Sequence, residues 1–218
     1  SALLGVDLEE KSLTMEIIII ALNRAGRRSE KPVTLRVREK AFPKEELTVP
    51  DSFDRIDEAA RKRIEREQAR LSRLWTASSD RRLWEGGFLA PVAGEVTSPF
   101  GLRRVVNGLA RAPHGGVDLK APLGTQIAAA NHGRVVLRDE FFFSGKSIVL
   151  DHGAGLYTMY FHLADFRVEE GLPVRKGDLI GLAGMSGRVT GPHLHWGARL
   201  NGARVDPFQL LETIGSRQ

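Results

Sequence analysis

The sequence predicts a mainly β protein. An antiparallel β-sheet sandwich domain occupies residues 89–218, preceded by a small β-rich segment (1–49) and by an amphipathic helix with its linker (50–88). Three observations predict this. From Leu89 onward, short apolar runs alternate with Gly and Pro turns at roughly ten-residue spacing, the rhythm of an all-β domain. Between Pro50 and Trp75, apolar residues recur at helical spacing. The first fifty residues are rich in β-branched and alternating runs.

In the first segment, Leu13 to Leu22 is apolar and β-branched, and Asn23-Arg24-Ala25-Gly26 follows it as a turn signal. Val33, Leu35 and Val37 alternate with Thr34, Arg36 and Arg38, the period of a half-buried strand. Two or three strands cannot bury both faces alone, so this segment reads as the remnant of a small sandwich module or a sheet packed on the next domain. A structural appendage is the plainer reading of it.

In the second, Phe53, Ile56, Ala60, Ile64, Leu71 and Leu74 form one face of a helix running to about Trp75. Pro50 and Asp51 suit its start, since proline tolerates the first turn and a carboxylate favours the positive end of the dipole. Acid and base alternate on the other face, which reads as solvated. Ser78-Ser79-Asp80 and Glu85-Gly86-Gly87 punctuate a linker, and the main boundary is placed near Phe88.

In the third, the expected strands are 94–97, 126–129, 133–137, 147–150, 156–160 and 178–181, with no room for a long helix. A further strand begins near Val117, and another carries His193-Leu194-His195 after the Gly191-Pro192 turn.

Bulk properties narrow the function. The net charge of +5 is diffuse: 18 basic and 16 acidic residues precede Leu89, and 14 and 11 follow. A nucleic-acid protein concentrates such charge in a patch with aromatics, and none is seen. The absence of cysteine excludes disulfides and thiolate ligands, so any metal must be held by His and Asp or Glu. No apolar run approaches the ~20 residues of a membrane span. No signal-peptide pattern is present, and the chain starts within a structured-looking segment, so a sequence trimmed at its start is expected.

Four of the six histidines fall in short signatures: His114-Gly-Gly-Val-Asp118, Tyr160-Phe161-His162-Leu163 and His193-Leu194-His195. On a strand, His193 and His195 share one face and Leu194 takes the other. His114 and Asp118 are four apart, but Pro113, Gly115 and Gly116 oppose a helix and indicate a glycine-rich loop entering a strand. Two imidazoles and a carboxylate are a ligand set of catalytic zinc, with a fourth position open to water. If His114, Asp118 and one of His193 and His195 bind the metal, the other histidine and His162 are acid/base or oxyanion-stabilising groups. Either signature alone is weak; their conjunction among glycines and prolines is what points to a site. His132 and His152 read as loop or surface histidines.

At these residues the chain resembles the LytM/lysostaphin-type zinc metalloendopeptidases, peptidoglycan hydrolases of the duplicated hybrid motif fold. The resemblance runs from about Leu89 to Leu211. It is carried, in the family's order, by Ser98-Pro99-Phe100-Gly101-Leu102-Arg103, the three histidine signatures, Val174-Arg175-Lys176-Gly177-Asp178, Gly184-Met185-Ser186-Gly187 and Val205-Asp206-Pro207. It implies Zn²⁺ as cofactor, His114, Asp118 and His195 as its ligands, and His162 and His193 as the catalytic pair. It also implies a sheet fold with a groove over the metal, peptidoglycan peptide stems and cross-bridges as substrate, and Val105 to Ala112 as a rim or lid. Phe141-Phe142-Phe143-Ser144-Gly145 is expected in a loop. A looser likeness of the N-terminal part to envelope-located members implies the periplasm or cell envelope of a bacterium.

Two other classes compete. Some members of the family lack ligands and act as regulators, so a silent or self-inhibited binding module is the alternative; the complete ligand set argues against it. Leu172 to Gly181 and Pro91 to Val96 resemble the halves of a biotinyl or lipoyl carrier, but no lysine stands in the required hairpin. Other zinc amidases would need an E-x-x-H signature, which is missing.

Overall fold

The structure is a computed structural model describing residues 3–23, 25–49, 56–76 and 79–215. Two compact units result, one of Ser1–Leu8 with Pro43–Gln218 and one of Glu9–Phe42. The division differs from the segments at 49 and 88, for reasons visible in the hydrogen bonds.

The smaller unit is a hairpin of β1 (Thr14–Leu22) and β2 (Arg28–Arg36), antiparallel in one unbroken register from Thr14↔Arg36 to Leu22↔Arg28. The turn falls where the sequence placed it: the Asn23 side chain accepts from the amides of Ala25 and Arg27 at 2.9 Å each, the Asx-type turn that asparagine favours. Val33, Leu35 and Val37 are half-buried as the alternation requires.

In the larger unit, β3 (Lys44–Leu47) comes first, followed by α1 (Glu58–Leu74). Asp57 caps α1, its Oδ1 accepting from the Ala60 amide at 2.7 Å, a bond worth about 1 kcal/mol. The helix end near Trp75 agrees with the periodicity; the start at Pro50 and Asp51, and Phe53, lie outside the described residues. Leu71, Leu74 and Trp75 pack on Leu137, Phe141, Val149, Tyr157 and Met159. The charged face is not wholly solvated. Arg70 pairs with Asp139 and Glu170, and Glu67 accepts from the Phe142 amide at 2.9 Å.

The described residues of the expected linker, 79–88, are stitched to the sheet. Leu83 donates to the His152 carbonyl at 2.7 Å, Asn131 holds the backbone of Glu85 and Gly87, and Trp84 and Phe88 join the core.

The remaining strands are β4 (Val96–Ser98), β5 (Arg103–Val106), β6 (Leu109–Ala110), β7 (Gly116–Leu119), β8 (Gln126–Ala128), β9 (Gly133–Phe141), β10 (Gly145–Gly153), β11 (Leu156–Phe166), β12 (Pro173–Val174), β13 (Leu179–Ala183), β14 (Leu194–Leu200) and β15 (Ala203–Val205). A short α2 (Pro207–Gly215) follows, a helix that the sequence reading did not include.

The main sheet runs β12-β9-β10-β11-β14-β7-β4, with β15 on β14 and β8 on β13. It branches at β11, whose first half pairs with β14 as far as Phe161↔His195 and whose second half pairs with β13 from Leu163↔Ala183. Among the described residues its strand pairs are antiparallel, as the sequence predicts; β3 beside β5 is parallel. One face buries Leu119, Ile127, Ile148, Leu150, Tyr160, Ile180, Leu194 and Trp196. Each fully buried aliphatic side chain there contributes ~1.5–3 kcal/mol.

Candidate metal centre

The site is built on the other face of β4, β7, β14 and β11. Strand alternation sends Leu194 and Trp196 inward, each fully buried, and leaves His195 facing outward between them. Register then lines up one residue per strand: Ser98↔Asp118, Asp118↔His195 and His195↔Phe161. His114 enters from the loop before β7. Its backbone is fixed by N–H donation to Leu102 at 3.0 Å and by acceptance from Gly101 at 2.9 Å.

The result is a triangle of donor atoms. His114 Nε2 lies 2.9 Å from His195 Nδ1 and 3.0 Å from Asp118 Oδ1, and His195 Nδ1 lies 3.0 Å from the same oxygen. All three side chains are largely buried. Three tetrahedral ligands of zinc, at about 2.0–2.1 Å from the ion, stand roughly 3.3–3.4 Å apart, so a small relaxation accommodates it. The bonds behind the ligands also agree. His114 Nδ1 is 3.0 Å from the Pro99 carbonyl, which accepts its proton and leaves the Nε2 lone pair facing the triangle.

Gly116 makes room for the third corner of the triangle, His195. A Cβ there would lie 2.7 Å from His195 Nε2 and 2.5 Å from the Trp196 carbonyl oxygen. The glycine lets the imidazole lie against the β7 backbone. At Gly115 the same atom would meet nothing closer than Arg204 Cδ at 3.5 Å.

His162 reaches the site through a bulge. Between Lys146↔Leu163 and Ile148↔Tyr160, β10 has one residue and β11 has two, Phe161 and His162. Simple alternation would turn His162 into the core beside Tyr160. Instead it takes a left-handed φ of 64°, a conformation that costs a non-glycine residue of order 1 kcal/mol or more, and its ring comes round to the outer face. Its centroid lies 4.8 Å from that of His193 and 6.2 Å from that of His195. Two bonds hold the bulge: the His162 amide to the Ser144 carbonyl at 2.9 Å, and His162 Nδ1 to the Ser186 carbonyl at 3.0 Å. His193 is anchored likewise, Nδ1 to the Gly191 carbonyl at 2.9 Å, with Nε2 3.8 Å from Asp118 Oδ1. Both rings thus turn Nε2 towards the cluster.

Burial pushes the Asp118 carboxyl up, but the imidazoles of His114 and His195 beside it outweigh that and hold the group well below the usual carboxylate range. Burial, then the neighbouring His114, keeps His195 below its ordinary value. Burial and the charge of His195 lower His162 to about 4. An anionic carboxylate with neutral imidazoles is the form that binds a cation.

The model of peptidase family M23 matches residues 112–207, the stretch that holds His114, Asp118, His162, His193 and His195. A crystal structure from Pseudomonas aeruginosa, assigned to peptidase M23, is 31% identical and superposes with a TM-score of 0.73, covering 95% of this chain and 77% of that one. The chain belongs to peptidase family M23. A zinc-containing peptidase from Vibrio cholerae is 31% identical, with a TM-score of 0.53 over 56% of this chain and 39% of that one. The peptidoglycan DD-endopeptidase ShyA of the same species is 38% identical over 115 residues, 52% of this chain and 27% of ShyA. The chain spans 27–30% of the length of the first curated relatives it matches.

This M23 site brings together all five residues singled out in the sequence. Two other readings need correction. His152 is not a surface residue: it lies in β10, fully buried. Its Nδ1 donates to the His132 carbonyl at 2.7 Å and its Nε2 accepts from Thr158 Oγ1 at 2.7 Å, which in turn bonds Tyr160. Two polar partners at the right distance make a buried imidazole affordable, and local sequence cannot show them. Phe141 is not in a loop but ends β9 in the core, while Phe143 is exposed in the turn. Of Val105 to Ala112, the stretch to Ala110 lies in the β5–β6 hairpin, with Val105 paired to Ala110 and Val106 to Leu109. The residues missed were Phe161, whose ring stacks on His195, and the polar chain behind His114; the first had a signal in its place beside His162, and in the second Ser98 stands in a stretch that carries the family resemblance, while Arg104 and Glu45 had none.

Proposed function

We propose that this chain is a zinc-dependent endopeptidase that hydrolyses peptide cross-links of bacterial peptidoglycan, acting in the periplasm or cell envelope. The carrying observation is the donor triangle of His114, Asp118 and His195, with the rings of His162 and His193 beside it, each anchored through Nδ1 to a backbone carbonyl. The DD-endopeptidase relative supports the substrate, and the zinc-containing neighbour supports the metal.

In this reading His114, Asp118 and His195 hold the ion. Zinc so bound supplies Lewis acidity, bringing the pKa of water to about 7 and polarising a carbonyl. His162, neutral and fixed through Ser186, accepts a hydrogen bond from the attacking water and orients it. The proton that His162 takes from that water passes to the leaving amine, and His193, with 20% of its side chain exposed, stands where a proton on its Nε2 would hydrogen-bond the oxygen of the tetrahedral intermediate. Phe161 and the Gly116 backbone keep water from the flanks of His195. Among the described residues no helix is long and apolar enough to cross a membrane.

The test is digestion of purified peptidoglycan with bound metal quantified on the same sample. About one zinc per chain, with cross-linked dimers consumed by the wild type and not by His195→Ala, is the expected result. Absence of zinc in a sample kept from chelators would overturn it.

A further inference from the structure

Behind His114 runs a chain of polar contacts that the reaction does not use. Ser98 Oγ, nearly fully buried, is 3.2 Å from His114 Nδ1. Arg104 Nη2 donates to that oxygen at 2.8 Å, and Arg104 Nε donates to Glu45 Oε2 at 3.0 Å. Glu45 belongs to β3, a strand far from the ligands in sequence. β3 is seated on β5 through four parallel pairs, Lys44↔Arg103 to Leu47↔Val106, and beyond them Asn107 exchanges two 2.9 Å side-chain bonds with the backbone of Val49.

We propose that Arg104 is a positioning residue for the metal site, held by Glu45 and acting on His114 through Ser98. The inference rests on the metal reading above. Two observations carry it. The Arg104–Glu45 pair is about 35–44% exposed, and such pairs add at most ~1 kcal/mol to stability, so a purely stabilising role explains little of the arrangement. Secondly, Ser98 is in cross-strand register with Asp118, so the serine behind His114 also adjoins the strand position of a second residue of the triangle. A guanidinium donating to Ser98 Oγ occupies one lone pair and fixes the hydroxyl. The imidazole beside it is then kept with Nδ1 towards Ser98 and Pro99, and Nε2 towards Asp118 and His195. Bonds of this kind, one step behind a ligand, typically change metal affinity 10–100-fold. β3 thereby becomes part of the metal site's support, although it contributes no ligand.

The test measures zinc affinity of the full chain by competition with a chromophoric chelator, alongside thermal unfolding of the metal-free protein. Arg104→Met is expected to weaken zinc about tenfold or more, Glu45→Gln to weaken it less, and Arg104→Lys, which keeps a donor for Ser98, to retain most of the affinity. Ser98→Ala with Arg104→Met together should be no worse than the poorer single variant, because both act through one hydroxyl. Zinc affinity of Arg104→Met within twofold of wild type, or losses in the two single variants that simply multiply, would overturn the proposal while leaving the metal site intact. Should Arg104→Met fail to fold, Glu45→Gln and Arg104→Lys decide: equal affinity in wild type and Glu45→Gln, or a Lys variant as weak as Ser98→Ala, overturns it. A wild type that binds no zinc removes both readings together.

Discussion

Phe161 and His195 face each other across β11 and β14, and their rings stack with planes 5° apart and centroids 5.2 Å apart. With Gly116 on its other flank, the imidazole is confined between an aromatic face and a backbone. A ring so held would present Nδ1 to an ion at the triangle with little loss of rotamer freedom.

Phe161→Ala should therefore weaken zinc more than it harms the fold. Truncating a half-buried Phe is expected to cost about 2–3 kcal/mol of stability, and zinc affinity should fall roughly tenfold. Phe161→Tyr, which keeps the stacked ring, should stay near wild type. Denaturant melts of the metal-free protein and chelator competition check the two effects separately; equal zinc affinity in Phe161→Ala would show the stack to be incidental.

The adjacent glycines of the first signature should behave differently. Gly116→Ala places a Cβ against a ligand ring and a carbonyl, and a loss of more than ~2 kcal/mol with at least tenfold weaker zinc is expected. Gly115→Ala meets only the flexible Arg204 chain at 3.5 Å and should bind zinc normally. Comparing the two variants by metal titration and thermal unfolding tests the close approach.

The bulge at His162 makes a prediction with an unusual sign. His162→Ala and His162→Gly should both lose about 10²–10⁴-fold in peptidoglycan hydrolysis while keeping zinc. At a φ of 64°, however, glycine is free of the Cβ penalty, so the Gly variant should be the more stable by about 1 kcal/mol. In an ordinary strand the order would be reversed. Urea melts of the two variants decide it.

His152 should make stability depend on pH. Burial lowers it to about 4, against an ordinary 6.5. Between those values the unfolded chain takes up the proton and the folded one does not, so stability falls as pH drops from about 6.5 towards 4. The loss attributable to this group is roughly 2–3 kcal/mol at pH 4.5, on the order of the pKa difference. His152→Gln should be less stable at pH 7 yet shallower across this window. Subtracting its denaturation profile from that of the wild type isolates the histidine from the carboxylates, and parallel profiles would refute its role.

Much of the molecule was legible in the chain itself. Alternation placed Leu194 inside and His195 outside, and Gly-Pro punctuation set most strands of the sheet. His114, Asp118 and His195 could be matched to a zinc donor set because residue type alone limits which atoms bind such an ion. The resemblance to LytM-type enzymes chose between His193 and His195, which spacing could not do. Tertiary structure decided the rest, because it depends on partners remote in sequence. Alternation by itself would have buried His162; the bulge opposite Ser147, held by Ser144 and Ser186, turned it outward. Burial of His152 required the His132 carbonyl and Thr158 on neighbouring elements. The link from Glu45 through Arg104 and Ser98 to His114 joins three strands that only folding brings side by side. Periodicity along a chain reports which face a residue takes in a regular element. Irregular backbone and bonds between strands are set by what lies across the sheet.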